Sequence, residues 1–366
     1  MKICYIVGAF PKIKCGIGDY TALLAELIEN ENNDVKIITS TSVEKKENVY
    51  NIMQKWNFSE LKKIITTLKE INPDIVHIQY PSNQYGKSIM INLLPFFIKL
   101  KIKCKIVYTI HEYITFTKKG RIRTALGTWF SDKVVVVEKK YITAMKKDKL
   151  ISKKRKLNYI PIASNIPKSK NSDKEKANIR KKYNLNEKYI LSYFGFIIPS
   201  KGFEYILNAL KDLIIKNYYI KLLVIGGLDE KNNYHLEIKK LISKLNLQKH
   251  IIFTGFVDSK HEVANILNST DLCILPFTEG VSERNSSFLA AYNQDIKIVT
   301  TSKEKINDNN EVYYANTNDQ DSINSKIEFA LKNKIEIKRG EINSNNMLLK
   351  HLQLYNEVLK NEKDIL

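Results

Sequence analysis

Short apolar runs recur along the chain, separated by segments whose apolar residues return every three to four positions. Lys2–Val7 (KICYIV) opens the series and ends at Gly8, and further runs cover Val35–Thr39, Asp74–Ile78, Lys105–Ile110, Lys133–Val137 and Leu157–Ile160. A strand covered on both faces needs no polar alternation, so such runs predict a buried parallel sheet. Helical patterns fall between them, notably at Phe58–Ile71 and Ile89–Leu100. After a Pro-marked segment, YIPIASNIP (Tyr159–Pro167), a second series follows at Tyr189–Phe194, Lys221–Ile225, Ile251–Thr254, Leu272–Leu275, Ile296–Thr300 and Val312–Tyr314. Helices are predicted at Gly202–Lys216, His235–Leu245, Glu262–Asn268 and Ser322–Lys332, and a last amphipathic one at Asn345–Lys360, with Leu348, Leu349, Leu352, Tyr355 and Leu359 on its apolar face. Alternating strands and helices predict α/β architecture with doubly wound sheets. A chain of 366 residues is long for one core, so two domains of similar build are expected.

Two loops stand out. GAFPKIKCGIGDYTALLAELIE places Gly16 and Gly18 before a helix whose Leu23, Leu24, Leu27 and Ile28 share a face. Two readings fit: a backbone approach to an anionic ligand at a helix start, or a tight strand-to-helix turn. The stretch Asp271–Thr300 reads as strand, Pro-Phe break, acidic Gly turn, Ser/Arg/Asn/Ser helix start and strand. Open α/β sheets bind ligands at such turns, and Glu279, Ser282, Arg284 and Ser286 suit hydroxyls and phosphates.

Composition changes this picture little. The 43% hydrophobic and 27% charged residues fit a globular chain. Cys4, Cys15, Cys104 and Cys273 lack Cys-x-x-Cys spacing, which argues against a disulfide framework or zinc site and suits a reducing cytosol. No signal peptide is evident, and the longest apolar stretch, Ser88–Leu100, contains Pro95 and Lys99 and falls short of the roughly 20 residues a membrane span needs. A soluble or peripheral protein is expected. The formal charge of +20 is concentrated in Lys101–Tyr189, with 25 Lys/Arg against 7 Asp/Glu. An anionic membrane face or nucleic acid fits that asymmetry, as does a lysine-rich composition alone, and no zinc-finger or RNP-like motif supports nucleic acid. In KKGRIRTALGTWF (118–130), Lys118, Lys119, Arg121 and Arg123 join Ile122, Leu126, Trp129 and Phe130. Interfacial helices pair those ingredients; alternatively the apolar face packs on the sheet.

Several segments in order resemble the GT-B glycosyltransferases of the retaining family 4 group. They are the Gly16/Gly18 loop, PDIVHIQYP, YTIHEY, SDKVVVVE, YIPIASNIP, FGFIIPSKGFEYILNAL, LLVIGG, IIFTGFVD and the Asp271–Thr300 stretch. Glu279–Arg284 (EGVSER) is most similar to a branch with acid-Gly-Val-Ser-x-Arg in place of the usual two-Glu signature. The resemblance implies a GT-B fold: two Rossmann-like domains facing a cleft, with the terminal helix crossing back to the first. Boundaries are expected at 1–167 (acceptor side), 168–188 (linker), 189–344 (nucleotide-sugar side) and 345–366 (terminal helix).

The resemblance further implies sugar transfer with retention from a UDP- or GDP-sugar to a glycan or lipid-linked acceptor, in cell-surface polysaccharide or glycoconjugate synthesis. It implies no cofactor and no metal, and a cytoplasmic location, with peripheral attachment to the inner membrane face compatible. Catalytic positions carried over are Lys201 for phosphate, Glu279 for donor-sugar hydroxyls with the following N–H groups on phosphate, and His111 near the reacting carbon. Donor-binding positions are Gly16, Gly18, Gly195, Val257, Gly280, Val281, Ser282, Arg284 and Ser287. The chain departs from the family where an Arg is usual (Phe196), where the second Glu is usual (Ser287, or Ala290 counted backward) and at the usual Gly-Pro (Ile296-Lys297). Arg284 reads either as the replacement cation or as a surface arginine. These departures motivate the alternative of a GT-B scaffold that binds without transferring. His77 reads as a packed residue, and Asp319-Gln320-Asp321 as a helix cap rather than a metal motif.

Overall fold

The computed structural model describes all residues except 12, 14, 42–45, 152–155, 305, 309–310, 334, 336, 338, 340–343 and 361–366. Four residues of the basic stretch (152–155) and the last six of the expected terminal segment therefore lie outside the described residues. The chain divides into two compact units, Met1–Ala163 with Asn343–Leu366, and Ser164–Ile342.

The first unit holds seven strands: β1 (Lys2–Ile6), β2 (Asp34–Ser40), β3 (Val49–Met53), β4 (Ile75–Tyr80), β5 (Lys105–Ile110), β6 (Lys133–Val136) and β7 (Leu157–Tyr159). They are ordered β3-β2-β1-β4-β5-β6-β7, and every named pair is parallel. Alternate residues of β1 feed the two faces: Cys4 and Ile6 join one core, Ile3 and Tyr5 the other. The second unit has β8 (Tyr189–Phe194), β9 (Ile220–Ile225), β10 (Ile251–Phe253), β11 (Leu272–Leu275), β12 (Lys297–Ser302) and β13 (Val312–Asn316), ordered β10-β9-β8-β11-β12-β13 and likewise parallel. Each sheet reverses its winding once, between β1 and β4 and between β8 and β11.

A recurring device aligns the strand starts. Asp74, Asp132 and Asp271 stand just before or at the entry to β4, β6 and β11, and their carboxylates accept the backbone N–H of Lys2, Ile106 and Ile190 at 2.7–2.8 Å. Helices often end on asparagine: Asn72, Asn184, Asn217 and Asn246 are left-handed with φ of 48–61°. This is the position glycine usually takes, and asparagine tolerates it best among side-chain-bearing residues.

The helices are α1 (Gly16–Asn30), α2 (Leu61–Ile71), α3 (Met90–Lys101), α4 (Lys118–Phe130), α5 (Lys139–Lys147), α6 (Asp173–Lys182), α7 (Phe203–Ile215), α8 (Asn233–Lys244), α9 (Lys260–Asn268), α10 (Ser286–Tyr292), α11 (Gln320–Lys332) and α12 (Ser344–Lys360). The C-terminal helix α12 packs on the first unit beside α1. Its buried stripe is Met347, Leu348, His351, Leu354, Tyr355 and Val358, with Leu349 exposed. That stripe is rotated from the expected one because His351 and Tyr355 are buried by polar bonds. Tyr355 OH lies 3.0 Å from Tyr5 OH and 2.6 Å from His77 Nδ1, while His351 Nε2 faces Tyr20 OH at 3.2 Å.

Three other expectations change. β3 was not anticipated, since a half-exposed edge strand such as VYNIM carries no long apolar run. Residues 168–188, expected as a linker, belong to the second unit. There α6 carries a Ser172/Glu175 capping box, and Arg180 binds Asp271 at 2.8 Å and Ser269 O. Phe58–Ile71 divides into a 3-10 turn (Phe58–Glu60) and α2. Among the described residues no helix is long and apolar enough to cross a membrane.

Candidate functional site

In a doubly wound sheet, the loops on either side of the winding reversal splay apart at the carboxyl ends of the strands and leave a crevice. In the second unit that point lies between β8 and β11. Three neighbouring strands exit on glycines with positive φ: Gly195 (132°), Gly226 (155°) and Gly255 (74°). A Cβ on Gly226 would sit 2.9 Å from Gly195 O, and one on Gly227 3.4 Å from the Cα of Gly255, so the three exits press together through bare backbone. A Cβ on Gly195 would lie 3.6 Å from that of Ser287. Ser287 is buried, and its Oγ makes no hydrogen bond among the described residues.

The turn after β8 carries Lys201. Pro199–Lys201 forms a 3-10 turn closed by left-handed Gly202 (φ 63°), where a side chain would collide with Pro276 O. Thr278 N donates to Ser200 O at 3.2 Å, so this turn is fixed to the exit of β11. Lys201 Nζ stands 4.5 Å from the centre of the Phe277 ring. Burial, and after it the charge of Arg284, push its ammonium down to about 8. Arg284, expected to share an anion with Lys201, thus acts on it as a like charge.

The loop after β11 departs from the implied roles. Glu279 is exposed and pairs with Lys303. Gly280 N donates to Phe277 O, Val281 N to Thr301 O and Ser282 N to Asn285 Oδ1. The backbone N–H groups expected to receive phosphate are all engaged within the protein, because the loop folds into a turn against β12. Ser282 Oγ also donates to Asn285 Oδ1 at 3.1 Å. Val257 is half-buried against the core. Phe196, in the place of the usual arginine, is exposed. Sequence reasoning missed His235, whose Nδ1 accepts from Asp229 N and whose Nε2 donates to Ile197 O, both at 2.7 Å. It ties the loop after β9 to the loop after β8; a histidine on a helix's first turn carries no sequence signal for that role.

In the first unit, the loops after β1 and β4 meet at the reversal. His111 follows β5, its N donating to Tyr80 O at 2.7 Å. Its Nε2 is 2.8 Å from Gln79 Oε1, and the ring meets Tyr20 edge-on with centroids 4.9 Å apart. The amide and imidazole are buried together, so Gln79 fixes the ring of His111 from β4. His77 is packed as expected, between Tyr355 OH and Thr109 Oγ1. Asp319 caps α11, accepting from Ser322 N at 2.9 Å.

The paired glycines separate. A Cβ on Gly18 would lie 2.7 Å from Ala9 O, whereas nothing stands within 4 Å of one on Gly16. Close packing of α1 on the loop after β1 therefore accounts for Gly18 but not Gly16. Gly18→Ala is expected to cost about 1–3 kcal/mol of stability, the usual scale for overpacking, and Gly16→Ala less than about 1. Urea midpoints of the two variants check this; equal losses contradict it. If Gly16→Ala folds normally yet loses donor affinity, Gly16 lies against ligand.

Residues 175–347 match the family model described as Glycosyl transferases group 1. Among curated proteins none matches the chain in sequence. Solved structures of similar fold include the sucrose-phosphate synthase (tll1590) from Thermosynechococcus elongatus, with 15% identity, TM-score 0.76, and coverage of 99% of this chain and 100% of that one. Anabaena Alr3699/HepE in complex with UDP-glucose has 14% identity and TM-score 0.70, with both chains covered 100%. The UDP-GlcNAc 2-epimerase from Methanocaldococcus jannaschii has 15% identity and TM-score 0.63, with 96% of this chain and 99% of that one covered. At such identities the likeness establishes fold. The chain has the GT-B fold, and its residues 175–347 match the model of the glycosyl transferases group 1 family.

Proposed function

We propose that this protein is a glycosyltransferase that moves a sugar with retention from a nucleoside-diphosphate donor to a hydroxyl of a glycan or lipid-linked acceptor. The observation that carries the reading is the placement of Lys201 at the reversal between β8 and β11, 4.5 Å from the Phe277 ring centre in a turn fixed to the exit of β11, where burial and then the charge of Arg284 lower it to about 8. A bound diphosphate would offset the cost that burial and the Arg284 charge impose on the Lys201 ammonium. In the transfer, the bond from C1 to the phosphate oxygen breaks and its electron pair stays on the diphosphate. The acceptor oxygen bonds C1, and its proton passes to the leaving phosphate. Charge grows on that phosphate, where fixed cations act most strongly. The backbone N–H groups of 280–282 are engaged elsewhere, and Lys201 and Arg284 are the second unit's candidates for meeting it. Ser287 Oγ, buried beside Gly195, is the candidate for a nucleoside hydroxyl. His111, held by Gln79, is the first unit's candidate for a donor-sugar contact.

A panel of UDP-, GDP- and ADP-sugars, followed by anomeric NMR of released or transferred sugar, tests this. Turnover with retention, unaffected by EDTA, is expected. Epimerised donor instead of transfer or hydrolysis overturns it. A second reading, a scaffold that binds without transferring, is favoured by Glu279 being held by Lys303 and by Phe196 and Ser287 standing where the family has Arg and Glu. Donor binding with no turnover on any acceptor selects that reading.

A further inference from the structure

A chain of buried polar contacts runs from the C-terminal helix α12 to His111. On α12, His351 places Nδ1 2.8 Å from Met347 O. A carbonyl only accepts, so Nδ1 carries the proton and Nε2 keeps its lone pair. Burial pushes this imidazole down to about 4, which keeps it neutral and that lone pair available. Tyr20 OH, from α1, lies 3.2 Å from Nε2 and therefore donates to it. Burial holds the Tyr20 phenol well above its ordinary value, so the phenol keeps its proton. The direction of each bond from α12 to α1 is thus fixed.

The ring of Tyr20 carries the chain on to His111. The two rings meet at 78° with centroids 4.9 Å apart, the arrangement in which one ring's positive edge faces the other's negative face. His111 has its bond to Gln79 Oε1 at 2.8 Å besides. One hydrogen bond leaves a ring able to pivot about that bond, and a second contact on the ring removes the pivot. His77 belongs to the same buried layer, but its bonds run to Tyr355 OH and Thr109 Oγ1, so it seats α12 without holding His111.

We propose that Tyr20 is a positioning residue for His111, held in turn by His351, so that the seating of α12 sets how the first unit presents His111 to the donor sugar. The presentation to a sugar rests on the transfer reading; the positioning of the ring does not. A tilt of His111 with Gln79 still bound is expected to cost about tenfold in kcat, less than the roughly 10²-fold of a full 1 Å misplacement.

The test pairs long-range ¹H–¹⁵N spectra of the histidine rings with kcat and KM for the preferred donor. Spectra are taken on the full chain at pH 7 without ligand, with His111 assigned through His111→Gln. Tyr20→Phe and His351→Leu should each move the His111 ring resonances and lower kcat about tenfold, with KM changed less. Together they should cost no more than one alone, because both cut the same link. His351→Gln, whose amide oxygen accepts from Tyr20 OH, should restore both readouts. Val358→Ala, which trims a buried side chain elsewhere on α12, should lower the urea midpoint and leave His111 and kcat unchanged. His111 resonances that ignore Tyr20→Phe and His351→Leu overturn the proposal. So does an equal response to Val358→Ala, or moved resonances with unaltered kcat in an active parent. A parent inactive on every donor, with the resonance pattern as expected, sinks the transfer reading and supports the positioning of His111 by Tyr20.

Discussion

Lys201→Ala is expected to lower turnover about 10²–10³-fold, the scale for losing one donor that meets developing transition-state charge. The loss should not come from unfolding. In the free protein Lys201 is a largely desolvated cation pushed down by burial and then by Arg284, so its removal relieves a cost. The urea midpoint of the second unit should therefore hold or rise while activity falls. A purely structural lysine gives the opposite pattern, lost stability with unaltered turnover. Because Arg284 shares the same anion in this account, Lys201→Ala and Arg284→Ala should combine with less than additive effect. Additive losses count against a shared phosphate.

Acid should begin to destabilise the first unit above the range where ordinary carboxylates titrate. His77 and His351 are buried and neutral. Burial, and after it the repulsion that protonated His351 and His111 would exert, holds His77 well below its ordinary value, and burial pushes His351 down to about 4. Both folded-state values are depressed, so the unfolded chain takes up protons near pH 6.5 while the folded chain resists until about 4. The stabilisation is complete above pH 6.5 and is lost as pH falls toward 4. For His351 alone the span corresponds to about 3 kcal/mol. His77 adds in the same direction. Because His351 and Tyr355 seat α12 on Tyr20, Tyr5 and His77, α12 is the element that protonation dislodges.

Exposed carboxylates with depressed values, such as Glu175 and Asp319, lose their contribution only lower in the scale. Both tryptophans, Trp56 and Trp129, lie in the first unit, so their fluorescence reports its unfolding. Urea midpoints should fall steeply between pH 6.5 and 4.5, and His351→Phe should flatten the slope by one proton. A flat profile through that window contradicts the buried neutral pair.

Much of the fold was legible because parallel strands covered on both faces leave unbroken apolar runs. KIVYTI and YILSYF show this at β5 and β8, whose limits match the expected ones. β3 escaped because an edge strand needs no such run. The terminal helix was legible as a helix, but its packed face was not, since His351 is buried by a tyrosine hydroxyl and a carbonyl that no periodicity records. At the candidate site, sequence singled out Lys201 and Arg284 as candidates but could not say that one depresses the other. It also offered Glu279 and the N–H groups after it, which the fold of the turn commits to Lys303, Phe277, Thr301 and Asn285. Gln79 fixes His111 through one polar bond and His235 joins two loops through two, and neither leaves a pattern in the sequence.

The central claim is that Lys201 meets the donor diphosphate. Isothermal titration of UDP, GDP and ADP into the full chain and into Lys201→Ala, at pH 7 and pH 9, tests it most directly. A lysine at about 8 in the free protein is charged at pH 7 and mostly neutral at pH 9, and a bound diphosphate raises it again. Affinity of the parent for its preferred nucleotide should therefore weaken about tenfold across that interval, while Lys201→Ala binds weakly and with no such dependence. Equal pH dependence in both proteins, or no binding of any nucleoside diphosphate by the parent, would contradict it.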